Sequence, residues 1–263
     1  MLTGRKTKAT PDKTPSISDG LWANARDSIK HALDHFSERD RPRADRRHHD
    51  KWIVLSVHHA AECISNMRLI DLEPNNPLFS NKGSIWFPSL TKTLSELQHQ
   101  RNAARLSPAE RQLFVLMSGL PDIRHQLMHR IAPAEVDVSV AAMCMMGLLK
   151  YIERLTGESA ADIVWQSPPI EGDVVAAIRY TRHQEYGDFV ALFLREKYGN
   201  RWLPTCPACD VRAVVSPVCE ACFTEPGSVA CSQCGSEAYY IELVHATEGS
   251  VRVQCDCGAT QTI

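Results

Sequence analysis

Eight cysteines near the end of the 263-residue chain are paired at spacings typical of metal ligands. Three pairs are separated by two residues and the last pair by one: Cys206/Cys209, Cys219/Cys222, Cys231/Cys234 and Cys255/Cys257. A two-residue gap lets both thiolates of a pair reach one tetrahedral ion from a tight turn, and a second pair closes the site. Pairing in sequence order therefore predicts one metal site from the first four cysteines and a second from the last four.

Each predicted site would hold a structural zinc ion, because four thiolates leave no open coordination position for catalysis. Each unit then resembles a zinc ribbon, in which hairpin strands connect the cysteine turns. Gly235 and Gly258 follow the turns of the second unit, as is usual in such ribbons. Iron–sulfur ligation is the main alternative, and pairs arranged on successive hairpins do not favour it. The Cys255/Cys257 pair has one intervening residue and so departs from the common two-residue gap.

The cysteine-rich end is more acidic than the rest of the chain. Residues 200–263 carry three Lys/Arg against seven Asp/Glu, a net charge of −4, whereas the whole chain carries −2. An acidic surface disfavours contact with phosphates. We therefore expect this region to dock a protein partner or to support a dimer.

A second constellation is the segment Arg124-His125-Gln126-Leu127-Met128-His129. Arginine is always protonated and suits charge that builds on a phosphate, whereas histidine can transfer protons near neutral pH. The same Arg–His spacing occurs at Arg26/His31 and at Arg43/His48. The latter pair is predicted to lie in a polar loop, and Arg26 is a weaker candidate than Arg124. Arg124 opens a short predicted helix between two apolar ones.

This motif resembles that of the HEPN superfamily, which consists of small helical bundles, and further similarity covers residues 18–158. It includes WANARDSIKHALDHF on the first helix and WIVLSVHHAAECI on the second, with Glu62 at an acidic position of the family. Many HEPN proteins are RNases in toxin or antiviral systems. The resemblance implies a metal-independent endoribonuclease with Arg124, His125 and His129 as site residues. His125 stands where Asn or Asp is commoner, so its role stays open.

The implied reaction is attack of a ribose 2′-hydroxyl on the adjacent phosphorus, with His129 transferring a proton and Arg124 stabilising the phosphate. His125 would orient the site or bind phosphate. Positions 124 and 129 are about 140° apart around an ideal helix, so one helix presents them poorly to a single substrate. The family solves this with a homodimer whose two motifs converge, and we expect an RNA substrate and a homodimer here.

Two other functions fit the same residues. One is a non-catalytic module in which the bundle dimerises or docks a partner while the ribbons bind a protein or RNA surface. The other is a metal hydrolase using His125 and His129, which are four residues apart, as are His59 and Cys63. The second alternative lacks the several carboxylates that a metal centre in a bundle would need, because only Glu62 is nearby.

Hydrophobic periodicity predicts a mainly α protein: an N-terminal up-and-down helical bundle followed by a small C-terminal domain of β-hairpin zinc ribbons. Predicted helices start near Asp19, near Trp52, at Leu90, after a Ser107 cap and after an Asp122 cap. Two more cover roughly 136–155 and 186–198. The predicted organisation is a disordered tail at 1–18, a bundle at 19–158, a connector at 159–200 and the double ribbon at 201–263.

The remaining composition excludes several classes of protein. The chain is 44% hydrophobic and 23% charged, which is close to ordinary globular proteins and unlike disordered or collagen-like chains. The longest apolar run, at 138–149, is shorter than the roughly 20 residues of a bilayer span. The first twenty residues lack the apolar core of a signal peptide. We therefore expect a soluble, cytoplasmic protein.

Overall fold

The computed structural model describes residues 17–39, 41, 44–81, 84–85, 87–129, 138–156, 177, 181, 183–215, 217–240 and 252–262. The helices are α1 (Ile17–Arg39), α2 (Arg46–Leu72), α3 (Leu90–Gln98), α4 (Gln100–Ala103), α5 (Pro108–Met117), α6 (Leu120–His129), α7 (Ser139–Thr156) and α8 (His183–Tyr198). The strands are β1 (Ser80–Asn81), β2 (Ser84–Ile85), β3 (Val214–Val215), β4 (Val218–Cys219), β5 (Gly227–Ala230), β6 (Glu237–Tyr240), β7 (Arg252–Gln254) and β8 (Thr260–Thr262). The predicted fold class, helices followed by small C-terminal hairpins, is confirmed.

Helix α2 lies at the centre of the helical part and contacts α1, α3, α5, α6 and α7. Its inward positions are fully buried aliphatic side chains such as Ile53, Val57 and Ile64. Helix α1 runs antiparallel to it, since Ser28 contacts His59 at one end and Arg39 pairs with Asp50 at the other. The largest fully buried side chains include Phe36, Phe114, Tyr151 and Tyr186, from four different helices.

Helix α2 begins earlier than the sequence predicts. It starts at Arg46 rather than near Trp52, because the Asp45 side chain accepts hydrogen bonds from the backbone N–H groups of Arg47 and His48. The charged segment 46–51 hides the apolar periodicity on which the prediction rested. His48 and His49 are therefore helical residues facing α1 and not parts of a solvated loop.

The start of α5 agrees with the prediction, whereas that of α6 does not. The Ser107 hydroxyl accepts a hydrogen bond from the Glu110 N–H, and the Glu110 carboxylate accepts one from the Ser107 N–H. Helix α6 begins at Leu120, so Asp122 lies inside its first turn and is not the cap. Pro121 is accommodated there because the first N–H groups of a helix have no partner within it.

The C-terminal strands form antiparallel pairs, β3 with β4, β5 with β6 and β7 with β8. Residues around the first four cysteines belong to the same apolar core as the helices, with Leu203, Val211, Val214 and Phe223 buried in it. Residues around the last four cysteines pack in a separate small cluster that includes Ala238 and Val253.

Several sequence predictions fall on parts of the chain that the structure does not describe. The proposed tail lies outside the described residues except for Ile17 and Ser18, which belong to α1. Most of the connector before α8 also lies outside them, as does Arg43. In the described part of the chain, no helix is both long enough and apolar enough to cross a bilayer.

Candidate functional site

The first four cysteines form a buried thiol cluster. The Sγ atoms of Cys206, Cys209, Cys219 and Cys222 all lie within 4.8 Å of one another. The Cys206–Cys222 and Cys209–Cys219 sulfur distances are both 3.7 Å. A tetrahedron of four sulfurs with metal–sulfur bonds of about 2.3 Å has edges of about 3.8 Å. The cluster therefore has the dimensions needed to hold one tetrahedral metal ion.

The last four cysteines form a second cluster with the same dimensions. Its Sγ atoms also lie within 4.8 Å of one another, with Cys231–Cys257 at 3.7 Å and Cys234–Cys255 at 3.6 Å. Cys234 and Cys257 are exposed, so this cluster lies nearer to solvent than the first. The single residue between Cys255 and Cys257 does not prevent both thiols from reaching the cluster. The eight cysteines thus form the two groups expected from sequence order.

Backbone geometry explains how each cysteine turn points two sulfurs inward. Three turns donate a backbone N–H to the first sulfur of the pair at 3.4 Å, from Ala208, Ala221 and Gln233. Such N–H donors stabilise the negative charge of a thiolate. A residue with left-handed backbone conformation follows every pair: Asp210, Phe223, Gly235 and Gly258, with φ between 58° and 88°. Glycine adopts this conformation without strain. Asp210 and Phe223 adopt it in the first cysteine unit, which packs against the helices.

The first cluster is attached to the helices through the turn between Cys219 and Cys222. The Tyr186 hydroxyl donates a hydrogen bond of 2.8 Å to the Ala221 carbonyl. The Glu220 carboxylate accepts hydrogen bonds of 2.9 Å from Lys150 and from Lys197. These contacts come from α7 and α8 and fix the position of the cluster relative to the helical core.

The Arg–His segment lies on α6, whose side chains are largely exposed. Of the ten residues of α6 only Leu120 is buried, and Arg124, His125 and His129 are all exposed. The ring centroids of His125 and His129 are 4.5 Å apart, as expected for positions one helical turn apart. The apolar side chain of Met128 is 48% exposed on the same helix. This helix therefore presents its polar motif and an apolar side chain to the surroundings.

Arg124 borders a cleft of about 530 Å³ between α6, α2 and the start of α3. The α2 side of this cleft carries His58, His59 and Glu62, and the α3 side carries Ser89 and Thr91. His125 and His129 do not line it, so within one chain the three residues of the motif do not converge there. Arg26, the weaker candidate, is also outside it, and its guanidinium lies over the Trp22 ring at 5.8 Å.

Burial and charge tune the titratable groups on the α2 side. Burial, the Arg124 guanidinium and His59 together lower the pKa of His58 to about 4, so its imidazole is neutral near pH 7. Burial raises the pKa of Glu62, although His59, Arg124 and the Leu90 N–H oppose this shift. His58 Nδ1 lies 3.8 Å from the Glu62 carboxylate. The cleft thus combines one permanent cation, Arg124, with a neutral His58 imidazole, which suits a phosphate ligand.

His59 is held in place by its neighbours. Its Nδ1 is 2.8 Å from the Ser28 hydroxyl of α1, and its Nε2 is 3.7 Å from the Cys63 sulfur. Burial and Glu62 raise the pKa of Cys63 to about 12, so this thiol is a poor nucleophile and a poor metal ligand. The resemblance to HEPN proteins drew attention to Glu62, as an acidic position of that family, but not to His58. The signal available was their spacing of four residues on α2, which places them on one helix face.

The metal-hydrolase alternative receives no support from the described residues. Among them, the groups in which three or more ligand atoms converge are the two cysteine clusters. His125 and His129 therefore lack a third ligand in that part of the chain, and so do His59 and Cys63. In comparisons with known proteins, no family model, no curated protein and no solved structure matches this chain.

Proposed function

We propose that this protein is a metal-independent endoribonuclease of the HEPN type. The observation that carries the proposal is the position of Arg124 on an exposed helix, at a cleft of about 530 Å³ that His58, His59 and Glu62 also line. A planar, permanently charged guanidinium at the edge of a polar cleft is suited to a phosphodiester. The cleft is wide enough for a flexible nucleotide and has no concentration of carboxylates that would repel it.

In the proposed reaction the 2′-hydroxyl of a ribose attacks the adjacent phosphorus. The P–O5′ bond breaks, so the products are a 2′,3′-cyclic phosphate and a 5′-hydroxyl. His129 transfers the proton, since a neutral imidazole can accept the 2′-proton and an imidazolium can protonate the leaving oxygen. Arg124 stabilises the additional charge on the phosphorane, and its charge does not depend on pH. His125 binds or orients the phosphate beside His129.

The active form is proposed to be a homodimer through the helical part. Arg124 borders the cleft of its own chain while His129 does not, so a second copy must bring its own α6 to complete a site. Six of the ten α6 residues are exposed, including the 48% exposed Met128, which leaves this helix accessible for such a contact. Burial of exposed apolar side chains would contribute to association.

We also propose that both thiolate clusters hold zinc and that these ions are structural. The sulfur separations of 3.6–3.7 Å fit the bond length of zinc, and four thiolates leave no position for substrate. Elemental analysis of protein purified under reducing conditions should find two zinc ions per chain. Bound iron with visible absorbance would instead indicate iron–sulfur ligation.

The decisive experiment is cleavage of a single-stranded RNA by the purified full-length chain. Single-stranded RNA should be cut without added metal, because a flexible backbone reaches the in-line geometry that a stiff duplex resists. Arg124→Ala and His129→Ala should each reduce the rate by about a hundredfold or more. Arg195→Ala and His99→Ala, two exposed residues outside the motif, are the matched controls. Mass spectrometry of the products should show the cyclic phosphate.

Loss of cleavage in a chelator would count against this proposal only if the protein had kept its structural zinc, so the metal content must be measured in parallel. Absence of cleavage in the parent, or an unchanged rate in His129→Ala, would contradict the catalytic proposal. A cytoplasmic toxin or antiviral role follows from the proposed chemistry, because uncontrolled RNA cleavage stops growth. Induced expression should then arrest growth, and Arg124→Ala should relieve the arrest.

The second candidate function is a non-catalytic binding module. It is favoured by the second cysteine unit, which packs in its own small cluster and presents exposed residues such as Glu237 and Asp256. An exposed acidic unit suits a basic protein surface better than RNA. Pull-down of a partner that is lost in Glu237→Lys, together with no RNA cleavage, would support this candidate.

A further inference from the structure

Four histidines lie together at a place that neither the thiolate clusters nor the Arg124 cleft includes. His31 and His35 are one turn apart on α1, and His48 and His49 are on the first turns of α2. The Nε2 atoms of His31 and His35 are 3.2 Å apart. Both Nε2 atoms therefore converge on one point beside α1.

This separation matches two ligands of one metal ion. With metal–nitrogen bonds of 2.0–2.1 Å, two ligands are separated by about 3.4 Å in tetrahedral geometry and by about 2.9 Å at adjacent octahedral positions. The observed 3.2 Å lies between these values. Two histidines four residues apart on one helix face are an established arrangement of metal ligands.

The other ring nitrogens are also placed as a metal site requires. Nδ1 of His31 is 2.8 Å from the Ser56 hydroxyl, and Nδ1 of His35 is 2.9 Å from Nδ1 of His49. A histidine ligand almost always uses its second nitrogen in a hydrogen bond, which fixes the ring orientation and the tautomer. Both rings of the pair therefore have such a partner, and both partners are on α2.

We propose that His31 and His35 chelate a divalent transition-metal ion of the zinc, nickel or copper class. Imidazole nitrogens suit these ions, whereas magnesium and calcium require oxygen ligands. Water completes the coordination, because His31 is exposed and the described residues place no third ligand atom at the pair. This site is independent of the proposed RNA cleavage, and its test uses no nuclease assay.

The local charge does not oppose a cation. Acidic and basic residues of segments 27–39 and 45–51 balance: Asp27, Asp34, Glu38, Asp45 and Asp50 against Lys30, Arg39, Arg46, Arg47 and Lys51. The charges of these two segments therefore cancel, and Arg41, which lies between them, pairs with Glu38. A bound ion would hold His31 and His35 in the orientation in which they contact Ser56 and His49 of α2.

Trp52 gives this site a spectroscopic readout. Its ring is stacked on His35 at a centroid distance of 6.3 Å and contacts His31 edge-on at 5.5 Å. Nickel binding at the pair should therefore quench part of the tryptophan fluorescence. Trp52→Phe should remove this quenching while the ion still binds.

The stoichiometry test uses the full chain with its thiolate clusters loaded. After equilibrium dialysis against zinc, the parent should contain three ions per chain, and His31→Gln/His35→Gln should contain two. His125→Gln/His129→Gln, which removes the other exposed histidine pair of the same spacing, should still contain three. Two ions in the parent, or loss of the third ion in the His125/His129 variant, would overturn the proposal. His31→Gln alone, which removes one ligand of the pair, should also contain two ions per chain, and three ions in it would contradict the proposal.

A finer test addresses the hydrogen bond from α2. Ser56→Ala removes the partner of His31 Nδ1 but no ligand, so the affinity for nickel should fall about 10- to 100-fold. The thiolate-bound ions should be retained. An unchanged nickel affinity would show that the pair does not bind the ion with the orientation seen in the structure and would overturn this part of the proposal.

Discussion

The ammonium group of Lys150 lies 2.9 Å from the carboxylate of Glu220, which is 70 residues further along the chain. Lys150 is on α7 and its side chain is only 3% exposed, and Glu220 lies between the cysteines of the second turn. The ammonium also lies 4.5 Å from the centre of the Phe223 ring. Although burial opposes it, the Lys150 charge and hydrogen bonds from Tyr198 and the lysines lower the pKa of Glu220 to about 2. A buried ion pair thus joins the helices to the first thiolate unit.

Replacing Lys150 by methionine should destabilise the whole helical part. The change leaves Glu220 and Glu153, whose side chains are each 14% exposed, without their main counter-charge. Loss of one partner of a buried pair typically costs about 3–5 kcal/mol, and we expect about 3 kcal/mol because Lys197 still contacts Glu220. The measurement is urea unfolding followed by circular dichroism. Lys150→Met/Glu220→Gln should recover part of the loss, and Lys51→Met, at an exposed lysine, is the control. Equal stability of Lys150→Met and the parent would contradict this reasoning.

The two thiolate units should respond differently to loss of a ligand. Cys206→Ser should release one ion and lower the midpoint of thermal unfolding of the helices, because Cys206 and its neighbours belong to the helical core. Cys255→Ser should release one ion with little effect on the helices, because its unit packs separately. Elemental analysis and helical circular dichroism check both variants. Release of both ions by either change would contradict the grouping of the cysteines.

Within the Arg–His segment, His125 should matter less than its neighbours. His125→Ala should slow RNA cleavage by less than the hundredfold loss expected for His129→Ala, because orienting a phosphate contributes less than transferring the proton. Arg26→Ala should change cleavage little, since its guanidinium lies over Trp22 and outside the cleft. Single-turnover rates on one RNA separate these effects from binding. A larger loss in His125→Ala than in His129→Ala would reverse the assigned roles.

The stability of the protein should fall in mild acid partly because of His58. The pKa of His58 is about 4 in the folded chain and 6.5 when unperturbed, so the unfolded state binds more protons between these values. The stabilisation is complete above pH 6.5 and is lost as the pH falls towards 4, by about 3 kcal/mol in total. Unfolding free energies of the parent and of His58→Gln at several pH values check this.

The difference between the pH profiles of the parent and of His58→Gln isolates the effect of His58, because protonation of the thiolates affects the stability of both proteins equally. His58→Gln should show a smaller fall in stability between pH 7 and pH 5 than the parent. Parallel curves would mean that the pKa of His58 is the same in the folded and unfolded states.

The proposed dimer should depend on α6. Met128→Glu replaces the exposed apolar side chain of this helix by a charged one. Because like charges would then face each other across the proposed interface, the variant should be a monomer at micromolar concentration. Light scattering coupled to size exclusion gives the mass directly. Trp202→Lys, at a similarly exposed apolar side chain next to the first thiolate unit, should leave the dimer intact. A monomeric parent would count against both the dimer and the proposed mechanism.

Local signals in the sequence account for the parts of the structure that depend on neighbouring residues. The spacing of the cysteines is sufficient to predict their grouping, because two thiols separated by one or two residues are brought together by the turn itself. Ser107 and Glu110 predict the start of α5 because the capping interaction is made within three residues. The start of α2 was predicted too late, because Asp45 acts through hydrogen bonds to a charged segment that has no apolar periodicity.

The sequence by itself therefore determined the helical class, the position of the hairpins and the two sets of four thiols. Only the tertiary structure decided that Arg124 meets His58, His59 and Glu62, that His31 meets His35 beside Ser56, and that Lys150 meets Glu220. Each of these relationships joins residues from different elements or depends on which face of a helix is packed. Such contacts are set by the packing of whole helices around α2, and no short-range pattern encodes that packing.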